Sequence, residues 1–272
     1  MERMMSRPYT TPLSPRGLSC IAPPPPWHYS GDFLMVEFWA DPAVVATTLP
    51  DGLTPDPAAA GHATALFFDW QFTGENDELL DPARYQYREF FILVDALHDA
   101  RPIAFCPYIF VDNDSAMMRG LIQGFPKRIG AVHVTRTFAA ANLAGPQVVA
   151  GARFAATAST AGQRLARAEV KLTEKVENLS KLGLGNRPIV NLRHFPRLAA
   201  GQHNNPAVHE LVIATTDNTQ LVNVWMGEGH LSLPVADGEE ISDLAPTRVG
   251  AGYRGSMSYT VTDLKALETT RA

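Results

Sequence analysis

Two cysteines, Cys20 and Cys106, are all that 272 residues contain. That is too few for a disulfide framework, and it points to a reducing compartment. No run of roughly 18 apolar residues occurs, so no membrane-spanning helix is expected. The opening MERMMSRPYTTPLSPRG carries charge but lacks the apolar core of a secretory signal. Cations are not in excess: 23 Lys and Arg stand against 28 Asp and Glu, a net charge of -5 that offers no field for nucleic acid. GLGNRP is followed by no third glycine or helical pattern, so it is no dinucleotide fingerprint. No Gly-x-Ser-x-Gly elbow is present. His194, His203, His209 and Glu210 match no HExxH or Cys-pair spacing, so neither a metal nor another cofactor is expected. These absences leave a globular, cytoplasmic protein whose partner is a small molecule rather than nucleic acid or a membrane.

What is present is mostly strand. The first 26 residues are proline-rich and end in APPPPW, which favours an extended arm or strap. DFLMVEFW, HATALFFDWQFT, YQYREFFILVDALH and IAFCPYIFVDND then carry the β-branched and aromatic content of strands. DPAVVATTLPDGLTP reads as one short helix closed at Leu49-Pro50, and DARP as a turn. QVVAGARFAATAST and QRLARAEVKLTEKV flank Ala161-Gly162, a hairpin tip. IVNLRHFP, HELVIATTDN, VNVWMGEGHLSL and RGSMSYTVTDL are later strands, the last with a possible helical end. No fixed-period repeat or internal linker divides the chain. The expected fold is α+β and β-dominated: an arm over 1–26, one domain over 27–265 with a curved, partly closed antiparallel sheet and a few short helices, and a tail over 266–272.

The chemistry concentrates in GLIQGFPKRIG, where Lys127 and Arg128 stand side by side among apolar residues and glycine. Alone, such a pair reads as a solvated turn. An exposed lysine titrates near 10.4, so only about one in two thousand amines is free at neutral pH. A free amine attacks a ketone to form an imine, and the protonated imine is an electron sink for breaking an adjacent C–C or C–H bond. For that, a lysine pKa must fall by roughly three to four units, about 4–5.5 kcal/mol of destabilised ammonium. Burial and a neighbouring fixed cation both act in that sense. Phe125, Pro126 and Ile129 are candidate walls, and Arg128 is the candidate cation. On a regular strand, however, Arg128 acts from behind the lysine, through the sheet.

GFPKR resembles the signature of the acetoacetate decarboxylase superfamily: an aromatic, a proline, the Schiff-base lysine and a second basic residue. The resemblance extends in order through SPRG, FLMVEFWADPAVVATTLPDGL, YREFFILVDALHDARPIAFCPYIFVDNDSAMMRG, RPIVNLRHFPRL, HELVIATTDN and VWMGEGHLSL, covering about residues 15–262. It implies the family's β-barrel or cone fold, a homo-oligomer, and no cofactor. Lys127 then matches the nucleophile, and Arg128 the neighbouring cation by which acetoacetate decarboxylase activates its lysine. Glu89 matches the family's active-site glutamate; a carboxyl in apolar surroundings holds its proton more tightly and can shuttle it. Asp69 falls where a further acid is common. Gln123 matches a glutamine beside the imine in non-decarboxylating relatives, and Tyr253 a C-terminal tyrosine of some of them, with Tyr259 its rival. Phe125 completes the expected substrate wall.

One departure bears on the reaction. Decarboxylases of the family carry an arginine just before the first core strand to hold the substrate carboxylate. Here the region reads HYSGDFLM, with Ser30 or Gly31 at the position. Arg88, Arg119 and Arg16 are the remaining candidates for that anchor. The resemblance therefore implies a carbon–carbon lyase that decarboxylates a β-keto acid through an imine on Lys127. The alternatives are a pyruvate-dependent aldolase-dehydratase using the same imine, an enol-lactone hydrolase or isomerase, and a binding protein with an inert lysine.

Overall fold

Side-chain alternation gives most strands two apolar faces, and the sheet buries both. The computed structural model describes residues 11–178 and 187–267. The first ten residues of the arm, the GLGN segment and most of the expected tail lie outside that range. In chain order the elements are β1 (Trp27–Trp39), α1 (Pro42–Thr47), β2 (Thr54–Pro55), β3 (His62–Thr73), α2 (Pro82–Tyr85), β4 (Gln86–His98), β5 (Arg101–Val111), α3 (Asp114–Ile122), β6 (Lys127–Ile129) and β7 (Ala131–Val134). They continue with β8 (Arg153–Thr160), β9 (Gln163–Lys175), β10 (Val190–Phe195), β11 (Val208–Ser232) and β12 (Arg248–Ala266). Among the described residues, no helix is long and apolar enough to cross a membrane.

All twelve strands belong to one curved sheet, ordered β6-β5-β4-β3-β1-β12-β11-β9-β8-β7, with β2 on β4 and β10 on β11. The β-dominated fold with few helices is as the sequence implied. Closure and strand direction differ from expectation. The ladder is open, because β6 and β7 end it on opposite edges. The sheet is also mixed, since α3 carries the chain back so that β6 runs parallel to β5, Lys127 beside Ile109. A hairpin cannot make a parallel pair; a crossover can. Only Gly130 separates β6 from β7, so the chain turns from one edge to the other at a single residue.

The tight turns are where the residue types place them. Ala161 and Gly162 both take positive φ between β8 and β9, as do Asp99 and Ala100 between β4 and β5. Such two-residue turns match the twist of the strands they join. β11 reads as two strands in the sequence because register shifts at Thr215/Thr216, Asp217/Gln220 and Val222/Trp225 bend it without ending it. The end of RGSMSYTVTDL stays extended, inside β12.

Neighbouring aromatics enter different cores. Phe67, Phe90 and Phe110 pack in one cluster with Phe154 and Leu165. Phe68, Phe91 and Ile109 pack in the other with Tyr29, Trp70, Phe72 and Tyr87. Each fully buried Phe contributes roughly 1.5–3 kcal/mol, and a one-residue slip would exchange the two sets.

Candidate active site

The segment after β5 was not read as a helix in the sequence, and its geometry builds the site. Asn113 accepts from the Ala116 amide at 2.9 Å and caps α3. At the other end Gly124 takes φ +80°, and the Phe125 amide donates to the Gly120 carbonyl at 3.0 Å. That glycine-closed ending turns the chain sharply and starts β6 with Lys127 facing the aromatic cluster. The lysine stem then lies across Gly120, where any Cβ would overlap it.

Glu89 reaches the same face from β4, in register with Phe68 on one side and Val111 on the other. Lys127 Nζ lies 2.5 Å from Glu89 Oε2, and the two side chains are 7 % and 8 % exposed. The Tyr87 and Phe125 rings stand 5.6 and 5.8 Å from the ammonium. Burial disfavours both charges, whereas the contact restores them as a pair. At that distance the two side chains are in direct hydrogen-bond contact, the geometry that direct proton transfer requires.

A second cation shares this chamber. Arg119, on α3, is 1 % exposed. Its guanidinium lies 3.7 Å from the Phe72 ring, 5.7 Å from Tyr87 and 5.9 Å from Tyr29. Nη1 donates to Ser115 Oγ at 2.5 Å. By hydrogen-bond geometry Nε and Nη2 have no partner among the described residues, although the Tyr29 phenol stands within reach of the guanidinium. Those two atoms form the edge that grips a carboxylate bidentately. Leaving a buried donor unmet costs about 1–3 kcal/mol, so donors of this kind call for a partner such as water or a bound molecule.

The surroundings stay neutral. Burial raises the Tyr29 phenol above its ordinary value against the pull of Arg119. Burial, reinforced by Glu89, raises Tyr87 further. Tyr259, stacked on Tyr29 at 5.0 Å, is held high by burial, with Tyr29 and Glu89 adding to the effect. The Cys106 thiol is pushed well up by burial and by Glu89, against Lys127. The chamber is therefore aromatic and hydroxyl-lined, with two cations and one acid.

Lys127, Glu89, Phe125 and Gln123 come together here. Gln123 is buried at the end of α3, donates to the Arg119 carbonyl at 3.2 Å and reaches Tyr29. The other expected residues lie elsewhere. Arg128 points to the opposite face, 55 % exposed, with both Nη atoms on Glu239 at 2.6 and 2.8 Å. Its charge is matched there, so it is not the cation beside the lysine. Asp69 shares that other face, 3.0 Å from Arg136, because its neighbours Phe68 and Trp70 take the inner one. Pro126 and Ile129 are exposed and wall nothing. Tyr253 faces inward but bonds Glu37 at 3.3 Å, and burial with the Glu37 carboxylate lifts its phenol to about 12. The C-terminal tyrosine beside the chamber is its rival, Tyr259.

Of the candidate anchors, Arg88 pairs with Asp112 at 3.2 Å and Arg16 is exposed, leaving Arg119. At Gly31, one of the two positions where the family resemblance expects an arginine, a Cβ would overlap the Asp69 carbonyl oxygen and stand 2.6 Å from Trp70 Cε3. The indole fills the space that such a side chain would need. Tyr29, Tyr87 and Ser115 escaped the sequence reading; their signal is alternate spacing with Glu89 and Trp27, and four-residue spacing with Arg119. Among the described residues, no group of three His, Cys, Asp or Glu side chains converges as a metal site. His194 and His209 meet only as an exposed pair across β10 and β11, 2.9 Å apart.

The family model for acetoacetate decarboxylase matches residues 10–270. The enduracididine biosynthesis enzyme MppR, solved in complex with pyruvate, is 34% identical, with a TM-score of 0.87 over 97% of this chain and 98% of that one. MppR has also been solved with the condensation product of pyruvate and imidazole 4-carboxaldehyde. An acetoacetate decarboxylase-like enzyme from Sphingomonas wittichii RW1 is 26% identical, with a TM-score of 0.86 over 96% of this chain and 99% of its own. Acetoacetate decarboxylase from Legionella pneumophila, at 16% identity and a TM-score of 0.74 over 92% of this chain and 90% of its own, shares the fold. No curated protein matches the chain.

Proposed function

The chain belongs to the acetoacetate decarboxylase family, and from that premise we propose that it is a Schiff-base-forming lyase acting on a pyruvate-like α-keto acid. The observation that carries the reading is the buried Lys127–Glu89 pair, 2.5 Å apart. Glu89 takes a proton from Nζ, and the amine attacks the ketone carbon. One N–C bond forms, Glu89 returns the proton to the carbinolamine hydroxyl, and water leaves as the C=N bond closes. The imine then draws the electrons of a neighbouring C–H bond, and Glu89, in contact with the lysine nitrogen, takes that proton. The resulting enamine carbon attacks an aldehyde, whose oxygen takes up a proton, and loss of water from the adduct leaves an unsaturated imine. Addition of water to its C=N bond breaks the N–C bond, releasing the unsaturated keto acid and the free Lys127 amine.

Arg119 favours an α-keto acid over a β-keto acid. Its Nε–Nη2 edge makes no hydrogen bond among the described residues. Its Cζ and Lys127 Nζ stand 5.7 and 5.6 Å from the Tyr87 ring, which supports a carboxylate bound on the same side of the sheet as the reacting carbon. Gly31 under Trp70 offers no cation at the position that decarboxylases of the family use. The likeness to a protein solved with pyruvate agrees with this choice.

Borohydride reduction in the presence of pyruvate tests the proposal. The expected result is a stable adduct on Lys127, found by peptide mass; no adduct, with the fold intact, refutes it. Incubation with pyruvate and an aromatic aldehyde should then yield the condensed product. Acetone released from acetoacetate at a comparable rate would instead assign decarboxylation.

A further inference from the structure

Arg119 is not held by its own helix alone. Ser115 is fully buried one turn before it on α3. Its Oγ donates to the Ile21 carbonyl of the proline-rich strap at 2.6 Å and accepts from Arg119 Nη1 at 2.5 Å. A hydroxyl has one proton, so committing it to Ile21 turns the oxygen's lone pairs toward the guanidinium. Without that acceptor the hydroxyl proton is free to rotate toward the guanidinium side, and the oxygen ceases to fix the arginine. The strap is itself anchored. The Ile21 and Ala22 amides donate to the Thr11 carbonyl, Ala22 is fully buried, and Trp27 Nε1 donates to the Pro23 carbonyl at 2.7 Å.

The chain Ile21 O, Ser115 Oγ, Arg119 Nη1 occupies one end of the guanidinium and leaves the Nε–Nη2 edge bare. We propose that Ser115 is a positioning residue for substrate carboxylate, and that the strap acts through it to aim the Arg119 fork. This rests on the reading that Arg119 takes the carboxylate of a keto acid. The strap is then part of the specificity apparatus: it lets the site distinguish a charged keto acid from an uncharged ketone of the same shape.

The test is borohydride trapping on the full chain with pyruvate and with its uncharged methyl ester. Ser115→Ala should raise the half-saturating pyruvate concentration by roughly tenfold, leave the rate at saturation unchanged, and leave the methyl ester unaffected. In an Arg119→Met background the Ser115→Ala change should have no further effect. Equal losses with both compounds, no change with either, or an effect that persists without Arg119 overturns the positioning role. Trapping of neither compound by the parent protein overturns the keto-acid reading and this inference with it, which is a separate and recognisable result. Should Ser115→Ala fail to fold, Ser115→Cys keeps the volume, weakens the bond and carries the same comparison.

Discussion

The two faces of the sheet around β4, β5 and β6 handle charge in opposite ways. Outside, every cation near the site has an acid of its own: Arg128 has Glu239, Arg136 has Asp69, and Arg88 has Asp112. Inside, Lys127 and Arg119 share one acid, and Arg119 keeps two donors unmet. Paired charges at a surface contribute little beyond solubility. An unbalanced pair among buried aromatic side chains is costly to keep. Adjacent residues thus meet unlike surroundings: Lys127 is buried against Glu89, and Arg128 is exposed against Glu239.

Substitutions inside should far outweigh those outside. Lys127→Ala is expected to lose at least about 10³-fold in turnover and all imine trapping; retained turnover would move the chemistry to Glu89 without an imine. Gly120→Ala should be nearly as severe, about 10²-fold in turnover, because its Cβ overlaps the lysine stem. Circular dichroism should stay native, and unaltered kinetics would mean that the stem has room to move. Arg119→Met should raise KM for the keto acid by about 10²-fold while leaving thermal stability equal or higher, since an unmet buried charge is removed. A clear fall in stability with KM untouched would make that arginine structural.

A pH effect separates the faces less sharply. Tyr29, Tyr87 and Tyr259 hold their protons above the ordinary range because burial penalises the phenolate. In the unfolded chain they ionise near 10. The stability they contribute is complete below that pH and is lost as pH rises through their folded values. The thermal midpoint should decline above about pH 10, and Tyr87→Phe should shallow the decline; an identical slope would place the alkaline sensitivity elsewhere. The smallest effect belongs outside. Arg128→Gln or Asp69→Asn should leave kcat/KM within about twofold and stability within about 1 kcal/mol.

How much of this was legible depends on how far each residue acts through its neighbours. Gly-Phe-Pro-Lys and the acid in YREFF were readable as a candidate pair because local motif and family order single them out, and the two side chains do meet. The turns at Asp99-Ala100 and Ala161-Gly162 were readable because a turn is a local event. α3 was not, since its apolar pattern is short and its cap, Asn113, sits in a polar DND run that resembles a loop. Asp69 and Tyr253 failed for one shared reason. Each lies in an aromatic strand with plausible neighbours on both sides, and only register decides which face it takes and which partner it meets.

By itself the sequence determined the strand-rich class, the choice of Lys127 and Glu89 as candidates, and the absence of an arginine at Ser30 or Gly31, because these depend on residue type and order. Only the tertiary structure decided which charges share a chamber. Strand pairing and the return of α3 bring Lys127, Glu89 and Arg119 together from separate elements. The same alternation sends Arg128 and Asp69 to the far side, and a strap distant in sequence reaches the arginine through one buried hydroxyl.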